Sequence, residues 1–299
     1  MTPNDELYMR RCIQLAKNGR QTTEPNPMVG AVIVHDGRII GEGYHIRPGG
    51  PHAEVNAFAS VRKEDEHLLP ESTIYVSLEP CSHWGKTPPC AELLIRKKIR
   101  RCVVGCQDPF AKVQGRGIQM LRDAGIEVTV GVLEEECLQL NSHFVTFHRK
   151  KRPYTTLKWA QSANGFIDGK ISNYYTQALC HKRRAEHQAI MVGNRTWNID
   201  HPRLDVRCWY GENPKVYVAH GGVPEIDEPS LLVEGGATLH QYYIDNVLWD
   251  DCFVEIAPFD IEGKVKAPTL KNAVLVEETK IAERTIRHYR PLWSESEIK

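Results

Sequence analysis

His52-Ala53-Glu54 and, one strand later, Pro80-Cys81-Ser82-His83-Trp84-Gly85-Lys86-Thr87-Pro88-Pro89-Cys90 bring an imidazole, two thiols and a carboxylate into one pattern. Structural zinc usually closes its tetrahedron with four Cys or His ligands, whereas catalytic zinc keeps one position for water. Three soft donors leave that position open. His52 falls at the start of a helix, and Pro88-Pro89 fixes a second helix start at Cys90, because proline is tolerated in a first turn. Both helices then aim their positive ends at a metal, which favours a ligating thiolate. With Cys81 as the third ligand, two thiolates and a neutral imidazole cancel the charge of Zn²⁺, so an attacking water needs a base beside it. Glu54, two residues past His52, can take the water's proton and return it to a substrate. That work suits hydrolytic deamination of an amidine-like ring carbon. Taken alone, Cys81 and Cys90 read equally as core residues or as half of a structural zinc site.

Outward from this stretch, apolar residues at Leu7, Cys12, Ile13, Leu15 and Ala16 predict a helix that Gly19 stops. Met28–Val34 and Arg38–Tyr44 flank Asp36-Gly37, a strong hairpin signal. Helices are expected at Ala53–Val61, Cys90–Lys98 and Gly117–Ala124, and strands at Thr73–Leu78, Cys102–Cys106 and Ile126–Val132. Strands alternating with helices imply an α/β sheet covered on both faces. A helix over Glu134–His148 runs into Lys150-Lys151-Arg152-Pro153, a stop and a linker that divide the chain into 1–150 and 151–299. Beyond it, Tyr154–Trp159, Ala189–Val192, Lys215–Ala219, Ser230–Val233 and Cys252–Ile256 predict the strands of a second α/β unit.

The chain has 299 residues, enough for two cores, and Lys+Arg and Asp+Glu both number 38. That balance argues against a polynucleotide substrate, whose phosphates call for a basic stripe. The polar, acidic start, Met1-Thr2-Pro3-Asn4-Asp5-Glu6, predicts neither a signal peptide nor a membrane span, hence a cytoplasmic protein. Nine cysteines scattered over such a length do not form a disulfide framework, and Cys12, Cys102, Cys106, Cys137, Cys180, Cys208 and Cys252 are expected in the core.

In the order His-x-Glu, then Pro-Cys…Cys, the opening stretch resembles the signature of the zinc nucleobase deaminases. Eight residues separate Cys81 from Cys90, where that signature has a Cys-x-x-Cys pair. The longer gap, with Pro25-Asn26-Pro27-Met28-Val29-Gly30, Gly43-Tyr44-His45, Gln107-Asp108-Pro109 and Gly115-Arg116-Gly117, resembles the bifunctional riboflavin-biosynthesis deaminase/reductases. The resemblance implies a cytidine-deaminase-like α/β/α domain, with His52, Cys81 and Cys90 as zinc ligands and Glu54 as proton shuttle. It implies a substrate pocket lined by Asn26, His45, His83, Lys86 and Asp108. The substrate implied is a small molecule, a diamino-pyrimidinone carrying a phosphoribosylamino group.

The resemblance continues through Leu157–Gly165 and Leu232-Val233-Glu234-Gly235-Gly236-Ala237-Thr238-Leu239 into a reductase domain with a fold like dihydrofolate reductase. Thr196, Asp200 and Gly236 match positions for NADPH, and Ser172, Arg184, Leu204, Arg207 and Glu234 match positions for the phosphoribosyl substrate. Pairing into a homo-oligomer is also implied. One departure stands out: between Lys215–Ala219 and Ser230–Val233 the family carries a further strand and helix, where this chain has only His220–Pro229. A shortened domain therefore sets a second expectation, a deaminase followed by a degenerate reductase-like module. A cytidine, guanine or tRNA-adenosine deaminase and a zinc-stabilised binding protein are the remaining readings.

Overall fold

The structure, a computed structural model, describes residues 3–84, 88–109 and 114–292. It divides into two compact units, Met1–Lys151 and Arg152–Lys299. In the first, chain order is α1 (Pro3–Ala16), β1 (Gly30–His35), β2 (Arg38–Tyr44), α2 (Ala53–Ala59), β3 (Thr73–Leu78), α3 (Cys90–Arg96), β4 (Arg101–Cys106), α4 (Arg116–Asp123), β5 (Glu127–Val130), α5 (Glu134–Leu140) and α6 (Ser142–Lys150). Asp36 and Gly37 both have positive φ and turn β1 into β2. The sheet order is β2-β1-β3-β4-β5, with β1 antiparallel to both neighbours and β3, β4 and β5 parallel.

Alternation along the strands builds a core on each face. Ala31, Ile33, Ile74, Val76, Cys102 and Val104 pack with Ala53 and Ala57 of α2, Leu94 of α3 and Leu121 of α4. The intervening residues Val32, Val34, Tyr75 and Val103 pack with Met9, Cys12 and Ile13 of α1 and Cys137 of α5. Helix α2 lies so close to β2 that a Cβ on Gly43 would come within 2.3 Å of the Ala57 backbone nitrogen. That approach seats the helix carrying His52 and Glu54 directly on the sheet. The single helix expected over Glu134–His148 is two helices broken at Asn141. There the side chain accepts from the Met28 N–H at 2.7 Å and donates to the Met28 carbonyl at 2.9 Å. An amide side chain bonded to a distant backbone competes with helix continuation.

The second unit runs β6 (Tyr154–Gln161), α7 (Tyr174–Ala185), β7 (Ala189–Gly193), α8 (Asn194–Asp200), β8 (Lys215–Ala219), β9 (Ser230–Val233), α9 (Ala237–Asp245), β10 (Asp251–Ile256), β11 (Ala273–Ile281) and β12 (Arg284–Pro291). Its sheet order is β11-β12-β10-β6-β9-β7-β8. The five strands from β10 to β8 are parallel, and β12 and β11 add an antiparallel hairpin that strand patterning did not predict. Asn173 caps α7 through a reciprocal bond pair with Thr176. Segment 220–229 takes the chain from β8 across β7 to β9 without a helix, and Val223 and Ile226 from it pack on the core of Leu157, Met191, Leu231 and Trp249. Parallel crossovers normally use a dozen or more residues and a helix; here two apolar side chains cover the sheet instead.

Among the cysteines expected in the core, Cys208 is exposed; the other six are buried. It lies in the loop between α8 and β8, outside any apolar-periodic element. Among the described residues, no helix is long and apolar enough to cross a membrane.

Candidate active site

His52 is the residue before α2, with φ −70° and ψ 165°, and Cys90 is the first residue of α3 behind Pro89. Cys81 lies just past the end of β3. The ring nitrogen of His52 and the two sulfurs all lie within 4.8 Å of one another. His52 Nδ1 is 3.5 Å from Cys81 Sγ and 3.4 Å from Cys90 Sγ, and the Cys90 N–H donates to Cys81 Sγ at 3.2 Å. Zinc needs N and S donors converging on a common point, and these three converge.

The electrostatics follow from crowding. The Cys81 thiol is pulled down to about 4, first by its hydrogen bond with Cys90 and then by His52, while that same bond and burial push Cys90 up. His52 is raised by its bond to Cys81. Glu54 is 3% exposed; burial, followed by the negative charge on Cys81, pushes its carboxyl up to about 7. It sits within hydrogen-bonding reach of Cys90, on the same turn as His52. A carboxyl held near neutrality can both accept and return a proton.

Around these four, Asn26 Nδ2 stands 3.2 Å from His45 Nε2, and His45 Nδ1 is 3.1 Å from the Pro51 carbonyl. The His45 ring meets the His52 ring edge-on at 5.7 Å, and burial lowers its pKa. His83, two residues past Cys81, is exposed, and Lys86 lies outside the described residues. Asp108 follows β4 and donates its backbone N–H to Glu79 at 3.2 Å. Glu79 drew no attention in the sequence, where it is simply the acid before Pro80-Cys81. Its one signal is an acid directly after a largely apolar strand.

In the second unit, Gly236 precedes α9 with φ +74°, and a Cβ there would lie 3.5 Å from Thr196 Oγ1, so the glycine turn and the middle of α8 face each other. Asp200 ends α8 and is exposed. Arg184 and Glu234 do not stand apart as separate substrate contacts: they form a bidentate pair, Nε–Oε1 2.9 Å and Nη2–Oε2 2.5 Å. Arg184 also donates to the Asp205 carbonyl at 3.0 Å, and the Cys180 thiol donates to Glu234 at 3.1 Å. Ser172 donates to Glu255 at 2.7 Å, an acid that sequence reading missed and that also takes the Thr176 hydroxyl at 2.6 Å. Leu204 is buried against Ile190, Val192 and Leu232, while Arg207 is exposed and pairs with Asp205.

The fold and the three-donor site define a cytidine-deaminase-like α/β/α unit followed in the same chain by a dihydrofolate-reductase-like α/β unit. A family model for the cytidine and deoxycytidylate deaminase zinc-binding region matches residues 2–106, and one for the RibD C-terminal domain matches residues 153–221. The riboflavin biosynthesis protein RibD of Chlamydia pneumoniae is 45% identical, over 79% of this chain and 74% of that protein. RibD of Aquifex aeolicus is 42% identical over 75% of this chain and 63% of that protein. The solved diaminohydroxyphosphoribosylaminopyrimidine deaminase/5-amino-6-(5-phosphoribosylamino)uracil reductase of Thermotoga maritima superimposes with a TM-score of 0.85 at 33% identity, over 96% of this chain and 98% of that one. The chain belongs to the RibD family of riboflavin-biosynthesis deaminase/reductases.

Its match spans less than two thirds of the Aquifex protein. The Chlamydia alignment runs over 281 positions but occupies only 79% of these 299 residues, so that relative carries residues this chain lacks.

Proposed function

We propose that the first unit hydrolytically deaminates 2,5-diamino-6-(5-phosphoribosylamino)pyrimidin-4(3H)-one. The observation that carries this reading is the buried Glu54 carboxyl beside three converging zinc donors. His52, Cys81 and Cys90 would hold Zn²⁺, which when bound lowers the pKa of water and polarises it for attack. Glu54 takes the water's proton, passes it to the ring nitrogen next to the attacked carbon, and delivers the second proton to the amino group as ammonia leaves. Asn26 reads a ring edge with its amide, held by His45. Asp108 supplies an acceptor for a ring or ribosyl donor, and His83 and Lys86 meet the phosphate.

The second unit, in the same proposal, uses NADPH to reduce the ribosyl group to ribityl, with the cofactor supplying the hydride. Gly236 lets a phosphate approach the start of α9 beside Thr196, a space that a Cβ would fill, and Asp200 at the end of α8 is a further cofactor contact. Arg207, at the surface, is the phosphate contact for the opened sugar. Arg184 holds Glu234 in place, Ser172 and Glu234 face the ribityl hydroxyls, and Leu204 forms the apolar floor. The proposal includes a cytoplasmic location and self-association of the chain into a homo-oligomer.

The short β8-to-β9 crossover and a C-terminal family match that ends at residue 221 favour one second reading, a deaminase whose C-terminal unit has lost reduction. One assay separates them. Purified zinc-loaded protein is given the phosphoribosylamino-pyrimidine, and ammonia and NADPH are followed together. Ammonia with NADPH oxidation supports the first reading, and ammonia alone supports the second. Neither product sinks both.

A further inference from the structure

Glu79 is a carboxylate with 6% exposure, and its hydrogen-bond donors among the described residues are backbone N–H groups. It sits between the end of β3 and Pro80-Cys81. Four backbone N–H groups surround it: Oε2 accepts from Asp108 at 3.2 Å and Gly115 at 2.9 Å, and Oε1 from Gly117 at 2.9 Å and Ile118 at 3.4 Å. Two of these, Gly117 and Ile118, are N–H groups of the first turn of α4, which have no partner within the helix. A negative group there is favoured by the helix dipole, and hydrogen bonds to a charged acceptor are about twice as strong as neutral ones. The approach is very close: a Cβ on Gly117 would fall 1.9 Å from the Pro80 carbonyl. Asp108 and the start of α4 are thus drawn onto the residues just ahead of Cys81.

We propose that Glu79 is a positioning residue for the deaminase site, fixing Asp108 and the start of α4 against the strand end that delivers Cys81. This inference rests on the proposed reading of Asp108 as a substrate contact. It also has a specificity consequence. Because an internal carboxylate already fills the positive end of α4, a substrate phosphate is excluded there and must be met on another side of the pocket.

The test is Glu79→Gln, which keeps the shape while exchanging acceptor oxygen for an N–H donor facing other donors. Hydrogen exchange of the Asp108, Gly115, Gly117 and Ile118 amides is measured in wild type and variant, with zinc content and deaminase kinetics on the same preparations. The expected result is loss of protection at these amides with zinc retained, and KM for the pyrimidine raised about tenfold while kcat changes little, the signature of lost binding geometry. Asp108→Ala should then cost much less in the Glu79→Gln background than in wild type. Unchanged protection, an unchanged KM, or independent effects of the two substitutions overturns the proposal. If Glu79→Gln does not fold, Glu79→Asp, which keeps the charge and shortens the reach, is read the same way. Wild-type protein that releases no ammonia refutes the reading of the site, and the exchange result still decides whether Glu79 holds Asp108 and the start of α4.

Discussion

Removing Glu234 should cost far more than removing it together with Arg184. The two side chains are 8% and 11% exposed, joined by bonds of 2.9 and 2.5 Å, and so little water reaches them that screening does not discount the pair. Glu234→Leu leaves a buried guanidinium whose remaining hydrogen bond among the described residues is to the Asp205 carbonyl. Breaking a buried pair in this way costs about 3–5 kcal/mol, whereas replacing both partners by apolar residues of similar size is often near neutral. For a unit of this size, about 2–4 °C per kcal/mol gives a fall in Tm of roughly 6–20 °C for the single variant. Arg184→Met/Glu234→Leu should recover most of it. The assay is thermal and urea unfolding followed by tryptophan fluorescence, which reports the second unit because Trp159 and Trp249 are buried in its core while Trp84, in the first unit, is 69% exposed. A single-variant cost below about 1 kcal/mol, or a double variant as unstable as the sum of the singles, would show that the two side chains are not a coupled buried pair.

Chelation of zinc should abolish ammonia release and lower the unfolding temperature of the first unit, leaving the Trp159 and Trp249 transition in place; calorimetry against fluorescence checks this. Acid should act on the second unit. Burial opposes the Glu234 charge, but Arg184 and Lys158 outweigh it and hold the folded carboxyl below its ordinary 4.5. The stability this contributes is present above pH 4.5 and is lost as pH falls below it through the folded value, so unfolding of the second unit should become easier in that window and the Glu234→Leu variant should lack this dependence.

The first unit was legible because its signals are local. Asp36-Gly37 forces a hairpin, Gly19 ends the short 3-10 turn that follows α1, and Pro88-Pro89 marks the start of α3 at Cys90. The break at Asn141 was hidden because its cause, the Met28 backbone, is remote in sequence. The same holds for Glu79, whose role depends on four amides from residues 108 to 118 that sequence alone cannot bring to it. The C-terminal hairpin escaped prediction because β11 is an edge strand with Val274, Leu275 and Val276 exposed and then charged residues, which blurs the alternation of a half-buried strand. Arg184 and Glu234 each looked available for ligand when read separately. Only the fold shows that they bind one another.

In the proposed deamination Glu54 moves the protons beside His52, Cys81 and Cys90. Its most direct test is ammonia release by Glu54→Gln and wild type at equal measured zinc content. Glu54→Gln should lose about 10²–10⁴ in kcat, the usual contribution of general acid–base catalysis, with zinc retained. Turnover within a few-fold of wild type at the same zinc content would contradict it.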